Sequence, residues 1–269
     1  MRISLDTSKW WQRIWAAFIF FTRLPLWRIY QPPRQCYDSV VEYWPLVGWL
    51  TGGVMAATIW FGSMVMPYCL AILSAIVVRI LITGALHEDG LADFMDGFGG
   101  GGSNRERILA IMKDSHIGTY GVLGLVLYFA FLFSALYALP PLVAALSVFA
   151  GDAYGKLIAG QIIQFLPYAR SEETSKAHTV YRKFSPSAGI FLFVQGILPL
   201  VLLLYICSHV LYLYWNLLVF VPCIVMYFLY SFMNKRIKGY TGDCCGALFL
   251  LIELSFYLTI VLCLTNSAA

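Results

Sequence analysis

Seven long apolar stretches constrain this chain more than any other feature. They cover residues 45–66, 67–86, 118–138, 141–166, 188–207, 209–232 and 244–264. A helix needs about 20 apolar residues to cross the hydrocarbon core of a bilayer. Apolar residues make up 60% of the 269 and charged residues only 12%, which excludes a water-soluble fold. We predict an all-α polytopic membrane helical bundle with about seven transmembrane helices, forming a single integral membrane domain over residues 1–269.

The N-terminal segment, residues 1–44, contains an aromatic stretch that differs from the seven predicted spans. Residues 10–28 carry Arg13 and Arg23 among aromatic side chains. This pattern favours an interfacial or re-entrant helix over a full transmembrane span.

The basic residues predict how the bundle is oriented. Lys and Arg collect on the cytoplasmic side of membrane proteins, and here they lie in the N-terminal segment and in three connections between spans, while the short hairpin turns hold none. We therefore expect the N-terminus to face the cytoplasm and the C-terminus to face outward. Because the basic residues are spread over several loops rather than gathered into one strip, we expect no nucleic-acid partner.

The densest group of acidic residues follows the second apolar stretch and comprises Glu88, Asp89, Asp93 and Asp96. On a helix the three Asp residues stand at positions i, i+4 and i+7, so their carboxylates share one face and repel each other unless a cation lies between them. Such oxygen ligands suit Mg²⁺, Mn²⁺ or Ca²⁺. The alternative is a solvated acidic loop, but the helical spacing at a membrane boundary favours a metal site.

The residues that follow complete a segment with the composition of a diphosphate site. Residues 97–104 are rich in glycine and form either a flexible linker or a phosphate cradle. Arg105, Arg107 and Lys113 then add positive charge, for which surface ion pairing is the alternative role. A pyrophosphate is bound by acids that hold a metal ion and by basic residues beside them. We therefore predict a cytoplasmic active-site loop over residues 87–117.

Four ionisable residues lie inside predicted spans, where each needs a partner or a wet cavity. They are Arg79, Asp152, Lys156 and Glu253. Asp152 and Lys156, at i and i+4, can satisfy each other. Arg79 either reaches a substrate phosphate or pairs with Glu253. A transporter would use these charges along a path near the bilayer midplane.

A short motif, Gly-Tyr-Thr-Gly-Asp over residues 239–243, precedes the last apolar stretch. It predicts a sharp turn that leaves the Asp243 carboxylate at the membrane boundary. There Asp243 acts either as a base or metal ligand, or as the N-cap of the last helix.

Several motifs together resemble the cobalamin synthase family, whose members are adenosylcobinamide-GDP ribazoletransferases. The matching residues occur in family order at 20–25, 44–48, 87–93 with 96–97, 111–115 with 117–121, 166–170 and 239–243. They extend over nearly the whole chain.

The resemblance implies transfer of the adenosylcobinamide phosphate group from adenosylcobinamide-GDP to α-ribazole or its 5′-phosphate. The products are adenosylcobalamin or its 5′-phosphate, and GMP. It implies Mg²⁺ as cofactor, with Mn²⁺ as the alternative ion, and a location in the bacterial cytoplasmic (inner) membrane with the active site facing the cytoplasm. Other corrinoid-pathway enzymes and a second copy of the chain are the candidate protein partners, beside the lipid bilayer. The alternative function is a membrane transporter for a divalent cation or a corrinoid.

On this interpretation the site residues fall into three sets. The catalytic set is Asp89, Asp93, Asp96 and Asp243, with Asp243 as candidate base for the attacking hydroxyl. The metal-binding set is Glu88, Asp89, Asp93, Asp96 and Asp114. The substrate-binding set is Arg79, Arg105, Lys113 and Ser115.

Overall fold

The computed structural model describes residues 9–170, 181–208 and 215–268, and this part of the chain is helical without a β-strand. The α-helices are α1 (Trp10–Phe21), α2 (Trp44–Val65), α3 (Tyr68–Thr83), α4 (Leu86–Gly100), α5 (Arg105–Lys113), α6 (Thr119–Tyr137), α7 (Pro141–Gly160), α8 (Ile162–Phe165), α9 (Pro186–Ile206), α10 (Trp215–Ile237) and α11 (Gly242–Ala268). Two 3-10 helices, Leu26–Arg28 and Arg34–Tyr43, lie between α1 and α2. The predicted all-α class is confirmed.

Six helical stretches are long and apolar enough to cross a bilayer. They are Arg34–Val65, Thr119–Tyr137, Pro141–Phe165, Pro186–Ile206, Trp215–Ile237 and Gly242–Thr265. Helices α3 and α4 pass the same test only as a bent pair, which brings the number to seven. This agrees with the predicted count. The start of the predicted span 209–232 lies outside the described residues.

Helix α1 has only 12 residues and is too short to cross a bilayer. It buries Ala16, Ala17 and Phe21 against the bundle and exposes Trp10 and Trp11. The prediction that this segment is not a full span is confirmed, and its two-sided character is the pattern of an interfacial helix.

A sharp bend separates α3 from α4. The two helix axes meet at 89°, and the residues between them, Gly84 and Ala85, both have positive φ angles, 65° and 57°. Gly84 ends α3 in the left-handed conformation that commonly terminates helices. The acid-rich segment therefore turns away from the axis of α3. The segment predicted as an active-site loop is mostly helical, since it contains α4 and α5.

Helices α7 and α11 form the centre of the bundle. In their most apolar stretches 72% and 67% of the residues are buried, against 22% to 33% in the other four candidate spans. Helix α7 packs closely against α2 beside Gly52, where an added Cβ would lie 2.8 Å from the Val148 carbonyl oxygen. Small residues at such contacts let two membrane helices approach each other.

A buried ion pair joins three helices of the bundle. Arg79 of α3 donates from Nη1 to both carboxylate oxygens of Glu253 in α11, at 2.7 and 2.8 Å, and from Nη2 to the Tyr128 hydroxyl of α6 at 2.7 Å. The Tyr257 hydroxyl also donates to Glu253, at 2.6 Å. Both oxygens of the carboxylate are thus hydrogen-bonded, as a buried charge requires.

A second buried pair, Asp152 with Lys156, lies on α7. The Thr51 hydroxyl of α2 donates to Asp152 at 2.8 Å, and the Lys156 ammonium lies 4.3 Å from the centre of the Phe249 ring. The prediction that Asp152 and Lys156 satisfy each other is confirmed. All four charges inside the spans are therefore paired within the bundle.

The close contact between α2 and α7 can be tested with two adjacent glycines. Gly52→Ala should lower the free energy of unfolding by about 1–3 kcal/mol, because its Cβ would overlap the backbone of α7. Gly53→Ala is the matched control, since its Cβ would lie 3.8 Å from the nearest atoms, in the Phe149 ring. Thermal unfolding in detergent measures both. Equal unfolding temperatures for the two variants would contradict the packing described here.

The buried ion pair predicts strong coupling between its members. Glu253→Gln should destabilise the protein by about 3–5 kcal/mol, because it leaves the Arg79 charge buried without a counter-charge. The double variant Arg79→Met with Glu253→Leu should recover much of this loss, since no charge then remains. Glu106→Gln, an exposed substitution on α5, is the control. Arg79→Met and Glu253→Leu are also measured singly, and a double variant whose destabilisation equals the sum of these two would show that the residues are not coupled.

Candidate functional site

Two short segments meet at the end of the bundle that carries α4 and α5, which we call the site end. Tyr168 and Tyr240 form an isolated parallel β-bridge. The Ala169 N–H donates to the Tyr240 carbonyl at 2.8 Å, and the Tyr240 N–H donates to the Pro167 carbonyl at 3.0 Å. A Cβ on Gly239 would lie 2.7 Å from the Pro167 oxygen, so glycine is needed for this close backbone approach. The bridge places motif 166–170 beside motif 239–243.

As a result, Arg170 lies next to Asp243. The guanidinium Nη1 is 3.9 Å from Asp243 Oδ2, and Nη2 donates to the Leu109 carbonyl of α5 at 2.9 Å. The Thr241 hydroxyl accepts from the Cys244 N–H at 3.3 Å, so Thr241 caps α11. The alternative that Asp243 is the N-cap is therefore wrong. The Asp243 carboxylate lies in the first turn of α11 instead, where the helix dipole favours a negative charge.

The first turns of α4 and α11 are in direct contact. A Cβ on Gly90 would lie 2.9 Å from the Asp243 carbonyl oxygen, and a Cβ on Gly246 would lie 3.1 Å from the His87 carbonyl oxygen. Asp89, which precedes Gly90, is thereby placed at the same boundary as Asp243. Two carboxylates from distant parts of the sequence thus belong to one site.

Both carboxylates line a cavity of about 140 Å³, which we call the site cavity. Its charged side chains are Asp89, Arg170 and Asp243, and its rings are Phe20, Phe21, Trp44, His87, Tyr168 and Tyr181. Burial raises the pKa of Tyr181 well above its ordinary value, so its hydroxyl stays protonated. The cavity therefore combines a charged edge with an aromatic wall.

The remaining acids of α4 have other partners or surroundings. Asp96 accepts hydrogen bonds from the Gly118 and Gly121 N–H groups at 2.7 and 2.8 Å, so it caps the start of α6. Glu88 is 5% exposed and lies inside the protein. Asp93 is half-buried between Asp89 and Asp96.

Asp114 lies in the exposed connection between α5 and α6. Its Oδ1 is 2.7 Å from Nδ1 of His116. This hydrogen bond lowers the pKa of Asp114 and raises the pKa of His116. Asp114 thus has its own partner outside the site cavity.

The predicted metal-binding set is consequently not gathered in one place. Throughout residues 9–170, 181–208 and 215–268, no three His, Cys, Asp or Glu side chains are grouped so that they could hold one ion. The prediction of a shared metal-binding face did not consider that the first N–H groups of α6 need acceptors. Asp96 provides these acceptors and is therefore engaged. Asp89 and Asp243 are the acids that share the site cavity.

The predicted substrate-binding residues also separate. Arg79 is 2% exposed and engaged by Glu253, so of the two alternatives the structure supports pairing and not contact with a substrate phosphate. Arg105 donates to the carbonyls of Ile237 and Ala169, at 2.8 and 2.9 Å. These hydrogen bonds connect α5 to the end of α10 and to motif 166–170. Lys113 and Ser115 are exposed.

Arg170 is the site residue that the sequence-based predictions missed. It lies in motif 166–170, which contributes to the family resemblance, but no local pattern connects it to Asp243. Its side chain is 5% exposed and faces the site cavity. An arginine that follows a predicted span closely and lies within a matching motif was the signal that could have identified it.

Comparisons with known proteins agree over the length of the chain. The family model described as cobalamin-5-phosphate synthase matches residues 13–261. Relatives named adenosylcobinamide-GDP ribazoletransferase are 34% identical in Leptospira interrogans, over 93% of this chain and 95% of the relative, and 34% identical in Shewanella frigidimarina, over 94% and 96%. A relative of that name in Vibrio parahaemolyticus is 35% identical over 91% of this chain and 90% of its own.

No solved structure matches the chain significantly. The family model covers every residue that lines the site cavity, from Phe20 in α1 to Gly246 in α11. The chain therefore belongs to the cobalamin-5-phosphate synthase family.

Proposed function

We propose that this protein transfers the adenosylcobinamide phosphate group from adenosylcobinamide-GDP to α-ribazole or its 5′-phosphate, and releases GMP. The observation that carries the proposal is that Asp89, Arg170 and Asp243 share one cavity in a chain whose family match covers residues 13–261. The name of the relatives, adenosylcobinamide-GDP ribazoletransferase, specifies the donor and the ribazole acceptor.

The reaction exchanges one phosphorus–oxygen bond for another. A ribose hydroxyl oxygen of the acceptor attacks the corrinoid-side phosphorus of the donor, and the bond from that phosphorus to the bridging oxygen breaks, so GMP leaves with the bridging oxygen. The hydroxyl proton passes to a carboxylate at the cavity edge, for which Asp243 is the candidate base. Arg170 supplies a fixed positive charge and a planar set of donors for phosphoryl oxygens as negative charge develops on them.

The acids in the cavity fit a magnesium ion that is shared with the substrate. Mg²⁺ is usually bound through one or two carboxylates together with substrate phosphates and water, rather than by an all-protein cage. Asp89 and Asp243 match that donor set, and Asp93 lies about one turn further along α4. When bound, the ion would neutralise diphosphate charge. Mn²⁺ accepts the same ligands and is the alternative ion.

The exposed residues at the end of α5 extend the charged edge of the site. Lys113 and Ser115 are open to solvent and are proposed to contact the phosphates of the donor. We propose that three further residues position parts of the site and do not contact the substrate, because their polar atoms are engaged elsewhere. Asp96 is engaged with α6, Arg105 with α10 and Arg79 with α11.

We further propose that the site end faces the cytoplasm of a bacterium, with the protein in its inner membrane. The support is the distribution of Lys and Arg, which lie in the connections at this end of the bundle. The nucleotide-bearing donor would then reach the cavity without crossing the bilayer. No described contact favours the transporter alternative, since the four charges it needs are buried and paired.

Purified protein in liposomes should release GMP only when adenosylcobinamide-GDP, an acceptor and a divalent ion are all present. Chelation with EDTA should abolish release, and added Mg²⁺ or Mn²⁺ should restore it, because the diphosphate charge is otherwise unscreened. Chromatographic measurement of GMP and of the corrinoid product tests this. α-Ribazole and its 5′-phosphate are compared as acceptors in parallel. A wild-type protein that moves corrinoid or cation across the liposome membrane without forming GMP would refute the transferase.

Substitutions should distinguish the two carboxylates in the cavity from an acid outside it. Asp89→Asn and Asp243→Asn should each lower kcat by about 100-fold or more, because each removes negative charge from the proposed metal and base positions. Each should also raise the Mg²⁺ concentration needed for half-maximal rate. Glu106→Gln is the charge-matched control on α5 and should behave as wild type.

Unfolding temperatures are measured for the same three variants. Near-wild-type stability of the Asn variants would show that the loss lies in chemistry and not in folding. Unchanged activity in either Asn variant would remove that residue from the proposed site.

A further inference from the structure

Two residues that line the site cavity have buried ring nitrogens without a partner in the described part of the chain. Trp44 is 1% exposed and His87 is 3% exposed, and among the described residues neither Trp44 Nε1 nor His87 Nε2 has a hydrogen-bond partner. A buried polar group without a hydrogen-bond partner is destabilising. Both residues line the site cavity, so a ligand bound there could pair with them.

The ring of Trp44 has a defined orientation in this wall. It stacks on Phe21, with ring centres 5.2 Å apart and planes at 15°, and on His87, with centres 5.8 Å apart and planes at 23°. Its Cε3 edge lies towards α7, 3.9 Å from the position that a Cβ on Gly160 would take. The Nε1 edge is the opposite edge of the indole and is therefore turned away from α7.

We propose that the aromatic wall of the site cavity is the subsite for the flat, mostly apolar base of the acceptor nucleoside. Rings stack favourably on such a base. A benzimidazole-type base attached to ribose through one nitrogen keeps a single ring nitrogen with a free lone pair, which matches the one N–H of Trp44. The ribose then lies towards Asp89 and Asp243. This inference rests on the proposed function for the identity of the acceptor.

The guanine of the donor fits the same wall less well. Guanine has acceptors at O6 and N7 and an amino donor at N2, and it also donates from N1. An aromatic wall with few polar atoms would leave several of these buried and unpaired, which strongly disfavours binding. The charged groups of the cavity are Asp89, Arg170 and Asp243, and the proposed reaction uses them for phosphate and ribose.

The test is Trp44→Phe, which keeps an aromatic ring and removes the N–H. We expect the KM for the acceptor nucleoside to rise about tenfold, while kcat at saturating acceptor and the KM for the donor change less than twofold. Trp49→Phe is the matched control on the same helix, because Trp49 Nε1 donates to the Gln195 carbonyl at 2.8 Å and the residue does not line the site cavity. It should leave both KM values unchanged.

A binding measurement keeps this test independent of the reaction. Radiolabelled α-ribazole is dialysed against purified protein without donor, and GMP is added as competitor. Wild type and Trp49→Phe should bind equally, and Trp44→Phe should bind about tenfold more weakly. Phe21→Leu, which removes a stacked ring from the same wall, should weaken acceptor binding in the same direction and serves if Trp44→Phe does not fold.

The outcomes separate the two proposals. Binding of α-ribazole by a wild-type protein that releases no GMP would defeat the proposed function and leave the base subsite standing. Equal acceptor affinity in wild type, Trp44→Phe and Phe21→Leu, or no acceptor binding by wild type, would overturn the subsite. Displacement of α-ribazole by GMP, with GMP affinity reduced in Trp44→Phe, would assign the wall to guanine and also overturn it.

Discussion

The contact between the first turns of α4 and α11 determines the arrangement of the whole site end. It requires α4 to leave the direction of α3 at Gly84 and Ala85, where the axes meet at 89°. It also requires Gly90, because a Cβ there would collide with the Asp243 carbonyl, and it favours Gly246, where a Cβ would lie only 3.1 Å from the His87 carbonyl oxygen. A helix that continued straight from α3 could not have packed its first turn against α11, and the acids would have been separated from the residues of motif 239–243.

Two groups of charged residues in this protein differ in position and in their partners. Inside the bundle, Arg79 with Glu253 and Asp152 with Lys156 are paired within the protein, because an unpaired charge in hydrocarbon is costly. At the site end, Asp89 and Asp243 line a cavity beside Arg170. The paired charges join helices of the bundle, and the charges at the site end line the cavity in which we propose that the substrate binds. This distribution suits chemistry at the membrane surface better than passage through the membrane.

Hydropathy and charge were sufficient to predict the all-α class, seven spans and the short N-terminal helix, because these follow from the chain's own period and composition. The partners of the acids were not predictable in this way. Asp96 caps α6, and α5 lies between them in the sequence. Arg170 lies next to Asp243 only because of the bridge between Tyr168 and Tyr240. The left-handed conformation of Ala85 has no local signature, since a non-glycine residue rarely adopts it. Contacts between residues distant in sequence determined the first two.

The small number of carboxylates in the cavity has a consequence for the proposed reaction. An ion held by Asp89 and Asp243 alone would keep most of its water, and diphosphate oxygens would complete its coordination. Metal binding and donor binding would then depend on each other, since each supplies ligands or charge that the other lacks. Among the described residues, the side chains of the aromatic wall of the same cavity offer no oxygen other than tyrosine hydroxyls, and that of Tyr181 stays protonated. One small cavity can thereby direct the charged reactant to one edge and a flat, apolar base to the other.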